Sequence, residues 1–366
     1  MKFIKSQPVL FISFIAAVIT MFIIPPDKSY AEYINRTVLI QLFALMAAVA
    51  GFRSVGIFEK ITGFMLEKAA TVRTLAVILI LLCFFSSMLV TNDVALLTFV
   101  PLTVLIFKDI KDEKSLIFTI VLETVAANMG SMLTPVGNPQ NLFAYDEYKI
   151  SALDFISATL PVCLASGIIT LALALIIPKN PCSSQQKKET VIPKVPTAAF
   201  SVLFIICLLT VFRVIPDCVC FICAVAVMLI FDRKVFAKID YSLLATFVCF
   251  FIFVGNIGKI EPVKNFFSEI ISGREVVVTA LLSQVISNVP ATVMLSGFTE
   301  NGLQMVLGAD IGGLGTLIAS LASLISFQIY RKSDGAKPMK YLVVFSAVNF
   351  GMLIPMILLQ IFVFAK

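Results

Sequence analysis

The sequence predicts an all-α polytopic membrane protein built of two inverted repeats, each with a re-entrant hairpin and a discontinuous helix, plus one linking helix. Three observations predict it. Hydrophobic residues make up 59% of the 366 and charged ones 14%, with a mean hydropathy of +1.02, so polar side chains are too few to cover a water-soluble globule of this size. Apolar runs such as 156–177 and 341–365 exceed the roughly 20 residues that cross about 30 Å of hydrocarbon, and alternating barrel segments are missing. Two separated blocks recur in the same order: Ser87-Met-Leu-Val-Thr-Asn92-Asp-Val-Ala95 matches Ser283-Gln-Val-Ile-Ser-Asn288-Val-Pro-Ala291, and Ala127-Asn-Met-Gly130-Ser-Met-Leu-Thr134 matches Ala309-Asp-Ile-Gly312-Gly-Leu-Gly-Thr316.

The first repeat spans 1–177. Its start, with Lys2, Lys5, an apolar core and Ser29-Tyr30-Ala31, has the form of a secretory signal. The repeat needs this segment, so 8–25 is read as a retained first helix. A helix over 37–52 follows, then an amphipathic stretch 53–73 whose Glu59, Lys60, Glu67 and Lys68 suit a position along the membrane surface. Hairpin 74–107, with limbs 74–91 and 94–107, precedes the broken helix 115–155 and helix 156–177. The polar segment 178–197 reads as a cytoplasmic linker, and 198–214 as the linking helix. The second repeat, 215–366, copies the plan with helices 217–231 and 243–258, amphipathic 259–274, hairpin 275–298, broken helix 303–330 and helix 341–365.

Limbs 94–107 and 290–298 are read as too short to cross, so each repeat crosses four times and the linking helix inverts the second. Charge agrees. With the N-terminus inside, Lys28, Arg36, Lys149, Arg213, Lys259, Lys264, Arg274 and Lys366 fall outside, leaving 20 of the 28 Lys and Arg in inner segments, as cytoplasmic loops require. Nine crossings, two opposed hairpins and an external C-terminus follow.

Several function classes are disfavoured. The chain has no histidine, no tryptophan and no G-x-x-x-x-G-K-[ST] match, which argues against a histidine-ligated metal, a histidine proton relay and ATP hydrolysis. The net charge of +6 reflects loop charges rather than a nucleic-acid face. The eight cysteines, including Cys220 and Cys223 at C-x-x-C spacing, read as buried thiols because no second pair accompanies them. Asn92-Asp93 and Asp109-Ile-Lys-Asp112 only faintly resemble diphosphate-binding sequences, since Lys108, Lys111 and Lys114 surround the second pair. A passive channel would share the hairpins but not alternating access. A secondary transporter leads.

Its chemistry belongs where helices break at the membrane midplane, because unwound backbone is tolerated there only if it lines a cavity. Asn92 and Asn288 are expected to cap the returning limbs, with Pro290 in the first turn, leaving two helix N-termini free to face an anion. Thr134-Pro-Val-Gly137-Asn138-Pro139-Gln-Asn141 places two prolines, a glycine and two asparagines in an apolar run, so the helix breaks, with Asn138 as cap and Pro139 as first helical residue. Gly312-Gly-Leu-Gly-Thr316, continuing to Ser320 and Ser323, is the equivalent break. Asp93, Glu123 and Asp310 lie inside membrane segments, so each must be protonated, paired or bound to a cation. Asp93 and Asp310 fit coupling-ion sites, whereas Glu123 is expected to neutralise a lysine of another helix.

The chain resembles the ion transporter superfamily of divalent anion:sodium symporters, citrate permeases and arsenite permeases. The resemblance is carried by Thr91-Asn92-Asp93, Gly130 through Asn141, Ser287-Asn288-Val-Pro-Ala-Thr292 and Gly312 through Ser320. It implies a homodimer in the bilayer, with a fixed scaffold and a mobile transport domain that carries hairpins and broken helices in an elevator motion. It also implies paired sodium sites flanking a small-anion substrate and no other cofactor. On this basis substrate falls to Asn92, Asp93, Gly137, Asn138, Pro139, Asn141, Asn288, Thr292 and Thr316. The coupling ion falls to Ser87, Thr91, Asn92, Asp93, Thr134, Gly137, Ser283, Ser287, Asn288, Asp310 and Ser320. Asp93 and Val289 stand where symporters carry threonine. Asn-Asp resembles the arsenite permeases and Gly-Asn-Pro-Gln-Asn the anion permeases. Small-anion transport coupled to Na+ or H+ is therefore favoured, with arsenite efflux or cation/proton antiport as the alternative.

Overall fold

The computed structural model describes residues 8–66, 69–182 and 191–364. Lys2, Lys5, Glu67, Lys68, the middle of the linker with Lys187 and Lys188, and Lys366 lie outside the described residues. The described chain is helical and contains no β-strand. In order, α1 is Pro8–Ile23, α2 Tyr30–Tyr33, α3 Arg36–Ser54, α4 Ile57–Leu66, α5 Val72–Val90, α6 Asn92–Ile110, α7 Glu113–Ser131, α8 Pro139–Glu147 and α9 Ala152–Ala174. Then follow α10 Lys194–Val211, α11 Asp217–Phe231, α12 Tyr241–Ile257, α13 Glu261–Ile271, α14 Glu275–Ile286, α15 Asn288–Leu295, α16 Gly302–Gly312, α17 Leu321–Arg331 and α18 Pro338–Leu359.

Local chemistry accounts for the starts. The side chains of Asn35, Thr71, Asp112, Asn138, Ser151, Asp240 and Asn301 each accept a backbone N–H of the first turn, pairing donors that a helix start otherwise leaves free. Large apolar side chains face outward, with Phe22 84%, Leu153 78% and Phe362 78% exposed, the surface of a protein that meets lipid. Helices α3, α5, α9, α10 and α18 are each long and apolar enough to span alone. The amphipathic α13 turns away from α12 by 106°.

The expected shortness of limb 94–107 is corrected. Helix α6 has 19 residues, about 28 Å at 1.5 Å per residue, as long as the hydrocarbon is thick. It runs past Lys108 because the left-handed Lys111 (φ 58°) closes it, its N–H bonded to Phe107 O, so the charged residues form the last turn instead of following the helix. The second hairpin is short, with limbs of 12 and 8 residues.

Packing follows a pairwise correspondence. α1 packs on α12 as α11 packs on α3, and α5 packs on α7 as α14 packs on α16. α6 packs on α17 as α15 packs on α8, and α9 touches α7 and α16 as α18 does. Two large apolar cores result, beside a smaller cluster of Val72, Leu75, Leu79, Ile106, Phe107 and Ile177. One joins α5, α6, α7 and α9 to α17 and α18; the other joins α3, α10, α11 and α12 to α8 and α15. The halves of the broken helices are shared between them, α7 and α17 in the first, α8 in the second and α16 in both.

Candidate functional site

Each hairpin reverses through one residue held at positive φ, Thr91 at 70° and Ser287 at 76°. This conformation is uncommon for a side chain with a Cβ, most of all a β-branched one, and persists where surroundings impose it. The surroundings are the breaks: the N–H of Asn92 donates to Gly137 O at 3.1 Å, and that of Asn288 to Ala319 O at 2.9 Å. Gly137 is required there, since a Cβ would lie 2.0 Å from Ser131 O.

The capping expectation needs correction. Thr91 and Ser287 occupy the cap positions without a side-chain cap bond, and Asn92 and Asn288 are the first helical residues. Their Oδ1 atoms accept the N–H of Asp93 and Val289, each at 2.9 Å. At the second tip the first turn is thereby used up: Pro290 has no N–H, and Ala291 donates to Ser287 O. The second hairpin N-terminus is therefore not the free anion-facing end that was expected, while at the first the Val94 N–H has no acceptor among the described residues. At the break N-termini the N–H groups of Gln140, Leu321 and Ala322 have no backbone or side-chain acceptor among the described residues. Asn138 caps α8 by accepting the Asn141 N–H, with Pro139 in the first position, as predicted.

Buried amides tie tips and breaks together. Asn92 Nδ2 donates to Asn128 Oδ1 at 3.0 Å, and Ser320 Oγ donates to the same oxygen at 3.1 Å. Asn128 Nδ2 reaches Gly313 O at 3.3 Å. On the other side Asn138 Nδ2 and Gln140 Nε2 donate to Asp310 Oδ1 at 3.0 and 3.1 Å. Asn128 and Asp310 are matched positions in the recurring blocks, and Asn138 and Ser320 match when the same offset is continued four residues past them. Each break is therefore bridged to the other by the residue that starts its second half. Asn141 Nδ2 donates to Thr134 O at 3.2 Å and lies 3.4 Å from Ser131 O and Met132 O. Gln284 clamps the second break: its Nε2 donates to Gly312 O and Leu314 O, its Oε1 accepts the Thr316 N–H, and its main-chain oxygen accepts the Thr316 hydroxyl.

Asn92, Asn138, Asn141, Asp310, Ser320 and the Gly137 backbone are thus brought into one buried junction, with Asn288 beside Gly313. Thr134 donates to Met88 O, joining the first break to α5. Thr292 bonds back to Asn288 O at 2.8 Å. Ser87 and Ser283 donate to Phe84 O and Thr279 O of their own helices, against Gly130 and Gly312. Asp93 is half-buried, its carboxylate makes no hydrogen bond to a described residue, and the charge acting on it is that of Asp240. Among the described residues no ion pair involves Asp93, Glu123 or Asp310. Asp310 Oδ2 and Asn141 Oδ1 are buried without a partner, two acceptors that a cation or a proton would satisfy. No lysine among the described residues pairs with Glu123; Thr103 is its partner at 2.6 Å.

Sequence reasoning missed Asn128, Gln140, Gln284 and Ser131. A signal for Asn128 existed: the offset that matches Gly130 to Gly312 also matches Asn128 to Asp310.

Comparison with known proteins adds to this geometry. The citrate transporter family matches residues 4–301. An uncharacterized transporter of Methanocaldococcus jannaschii is 34% identical over 331 residues, covering 87% of this chain and 88% of that protein. The inner membrane protein YbiR of Escherichia coli is 31% identical over 312 residues, 82% of each chain. A silicon efflux transporter of rice, Oryza sativa subsp. japonica, is 31% identical over 160 residues, 43% of this chain and 32% of that protein.

Proposed function

Because the chain belongs to the citrate transporter family, we propose that it is a secondary active transporter moving a small anion, a di- or tricarboxylate or an inorganic oxyanion, by an elevator-type motion coupled to Na+ or H+. The observation that carries this is the junction itself: two hairpin tips and two helix breaks meet in one buried polar site with unpaired acceptors on Asp310 and Asn141. The N–H groups of Gln140, Leu321 and Ala322 at the break N-termini, where the helix dipoles are positive, suit the anion. Asp310 Oδ2 suits the coupling cation, whose charge offsets that of the carboxylate.

Two inverted repeats, 1–177 and 215–366 about the linking helix, account for the paired packing and for the two tips of like geometry. Tip-to-tip opposition of α5 and α14, 19 and 12 residues, would span about 46 Å, near the thickness of a bilayer with its headgroups. The excess of Lys and Arg in predicted inner loops supports a cytoplasmic N-terminus and external C-terminus. In the elevator reading α5 to α9 and α14 to α18 move against a scaffold of α1, α3, α10, α11 and α12, and homodimerisation would hold that scaffold still.

A second reading is export of a neutral metalloid hydroxide such as arsenite. The consumed N–H groups at the second tip, the carboxylate of Asp93 and the similarity to a silicon efflux transporter favour it. Labelled citrate and succinate uptake into liposomes of the purified protein, under an inward Na+ gradient, an inward H+ gradient and a matched K+ control, separates these. Gradient-driven uptake of either acid supports anion transport. Uptake of neither, with arsenite efflux from the same vesicles, supports the second reading.

A further inference from the structure

A second buried carboxyl lies outside the junction. Glu123 of α7 is 0% exposed and stands five residues before Asn128, about 7.5 Å along the helix axis. Its Oε1 is 2.6 Å from Thr103 Oγ1 of α6, and its Oε2 has no partner. The titratable groups facing it are Cys83 of α5 and Tyr341 of α18. From α17 the neighbouring polar group is Ser326, which receives the hydroxyl of Thr124 at 2.8 Å. No lysine, arginine or further carboxylate among the described residues acts on it.

Complete burial and the bare Oε2 favour the neutral carboxyl. Thr103 owns one hydroxyl hydrogen, and its Oγ1 also lies 3.1 Å from Phe99 O one turn back. Thr119 on the neighbouring helix spends its hydrogen in that way, on Ser115 O. The Thr103 hydroxyl donates to Glu123 Oε1 at 2.6 Å when its hydrogen lies there, and accepts the carboxyl hydrogen when its own lies on Phe99 O at 3.1 Å. A charged carboxylate would instead leave Oε2 bare in an apolar core with no cation.

We propose that Glu123 is a proton-binding site distinct from the tip-and-break junction, holding a neutral carboxyl between the hairpin limb α6 and the broken helix α7. Losing that proton places an unpaired charge in the packing that positions Asn92 against Asn128, so occupancy of the site governs the first hairpin. The proton site itself does not depend on the proposed transport activity; only its effect on flux rests on that reading.

Infrared pH titration of the purified protein tests it through the carbonyl stretch of protonated carboxyl groups. One component of that band is expected to vanish in Glu123→Gln, to persist in Asp310→Asn and Asp93→Asn, and to move to higher frequency in Thr103→Val as the hydrogen bond is lost. A band unchanged by Glu123→Gln, or unmoved by Thr103→Val if the first variant does not fold, would overturn the proposal. In liposomes, labelled citrate uptake by Glu123→Gln should lose the roughly tenfold change per pH unit that one titrating group imparts; an intact pH profile would contradict control by Glu123. Absent uptake with the band change intact would fault the transport reading and leave the proton site standing.

Discussion

Truncating Asn128 separates a structural junction from an incidental contact. In Asn128→Ala, Asn92 Nδ2 and Ser320 Oγ lose the acceptor they share at 3.0 and 3.1 Å, and both residues are almost fully buried, 4% and 1% exposed. Each buried donor left unpaired costs about 1–3 kcal/mol, so the pair sets an upper range of about 2–6 kcal/mol. Water entering the space recovers part of this, leaving about 2 kcal/mol, roughly a 30-fold shift between ordered and loosened junctions. Asn128→Asp, protonated as a buried carboxyl must be, keeps the shared acceptor and loses the longer contacts to Gly313 O at 3.3 Å and Ser323 Oγ at 3.5 Å, so its junction should stay closer to wild type than that of Asn128→Ala. The assay is liposome uptake paired with a melting curve. Because the chain has no tryptophan, melting is followed with a thiol-reactive dye at the buried Cys83, Cys163, Cys207 and Cys220. Asn128→Ala should lose uptake by about tenfold or more while still melting cooperatively at a lower temperature. Wild-type uptake and melting in Asn128→Ala would refute the reasoning.

The other predictions concern the same residues. Asn92→Ala and Asn288→Ala should each abolish uptake while the protein stays folded by size-exclusion chromatography; normal uptake in both would remove the tips from the site. Asp310→Asn should change the cation or pH dependence of uptake more than the melting temperature, because the amide keeps an acceptor for Asn138 and Gln140 but not the charge. An unaltered ion profile in Asp310→Asn, with a shift in Asp93→Asn, would move the coupling role to Asp93. Gly137→Ala puts a methyl 2.0 Å from Ser131 O and 2.8 Å from Ser131 Cα, main-chain atoms that cannot rotate away. Overpacking of about 1–3 kcal/mol and displacement of the Asn92 anchor should lower melting and uptake together; a neutral outcome would mean the tip is not held by this carbonyl.

The helical membrane class was legible because composition alone excludes a water-covered surface. The first break was legible residue by residue, since Asn138 and Pro139 are the cap and first-turn residues a new helix prefers. The tips were harder. Asparagine is a common cap, but here the turn is made by Thr91 and Ser287 at positive φ, and nothing local in a threonine announces that conformation. The bond that enforces it comes from Gly137 O, 45 residues on in the chain (137 minus 92). The length of α6 was misjudged because Lys108 looks like the end of a membrane segment, yet it lies within the last turn that Lys111 closes. Asn128, Gln140 and Gln284 escaped notice for a related reason: an amide inside a helix declares no partner until the other repeat is folded against it. Glu123 was recognised as costly, but its neighbour proved to be a hydroxyl rather than a lysine.

Solute counterflow in liposomes containing the purified protein tests the central claim, a carrier whose single site forms where tips meet breaks. Vesicles loaded with unlabelled citrate, succinate or arsenite should accelerate entry of the matching labelled solute for at least one of the three. That acceleration should vanish in both Asn92→Ala and Asn288→Ala. Equal entry into loaded and empty vesicles would indicate a channel, and counterflow that survives both substitutions would place the site elsewhere.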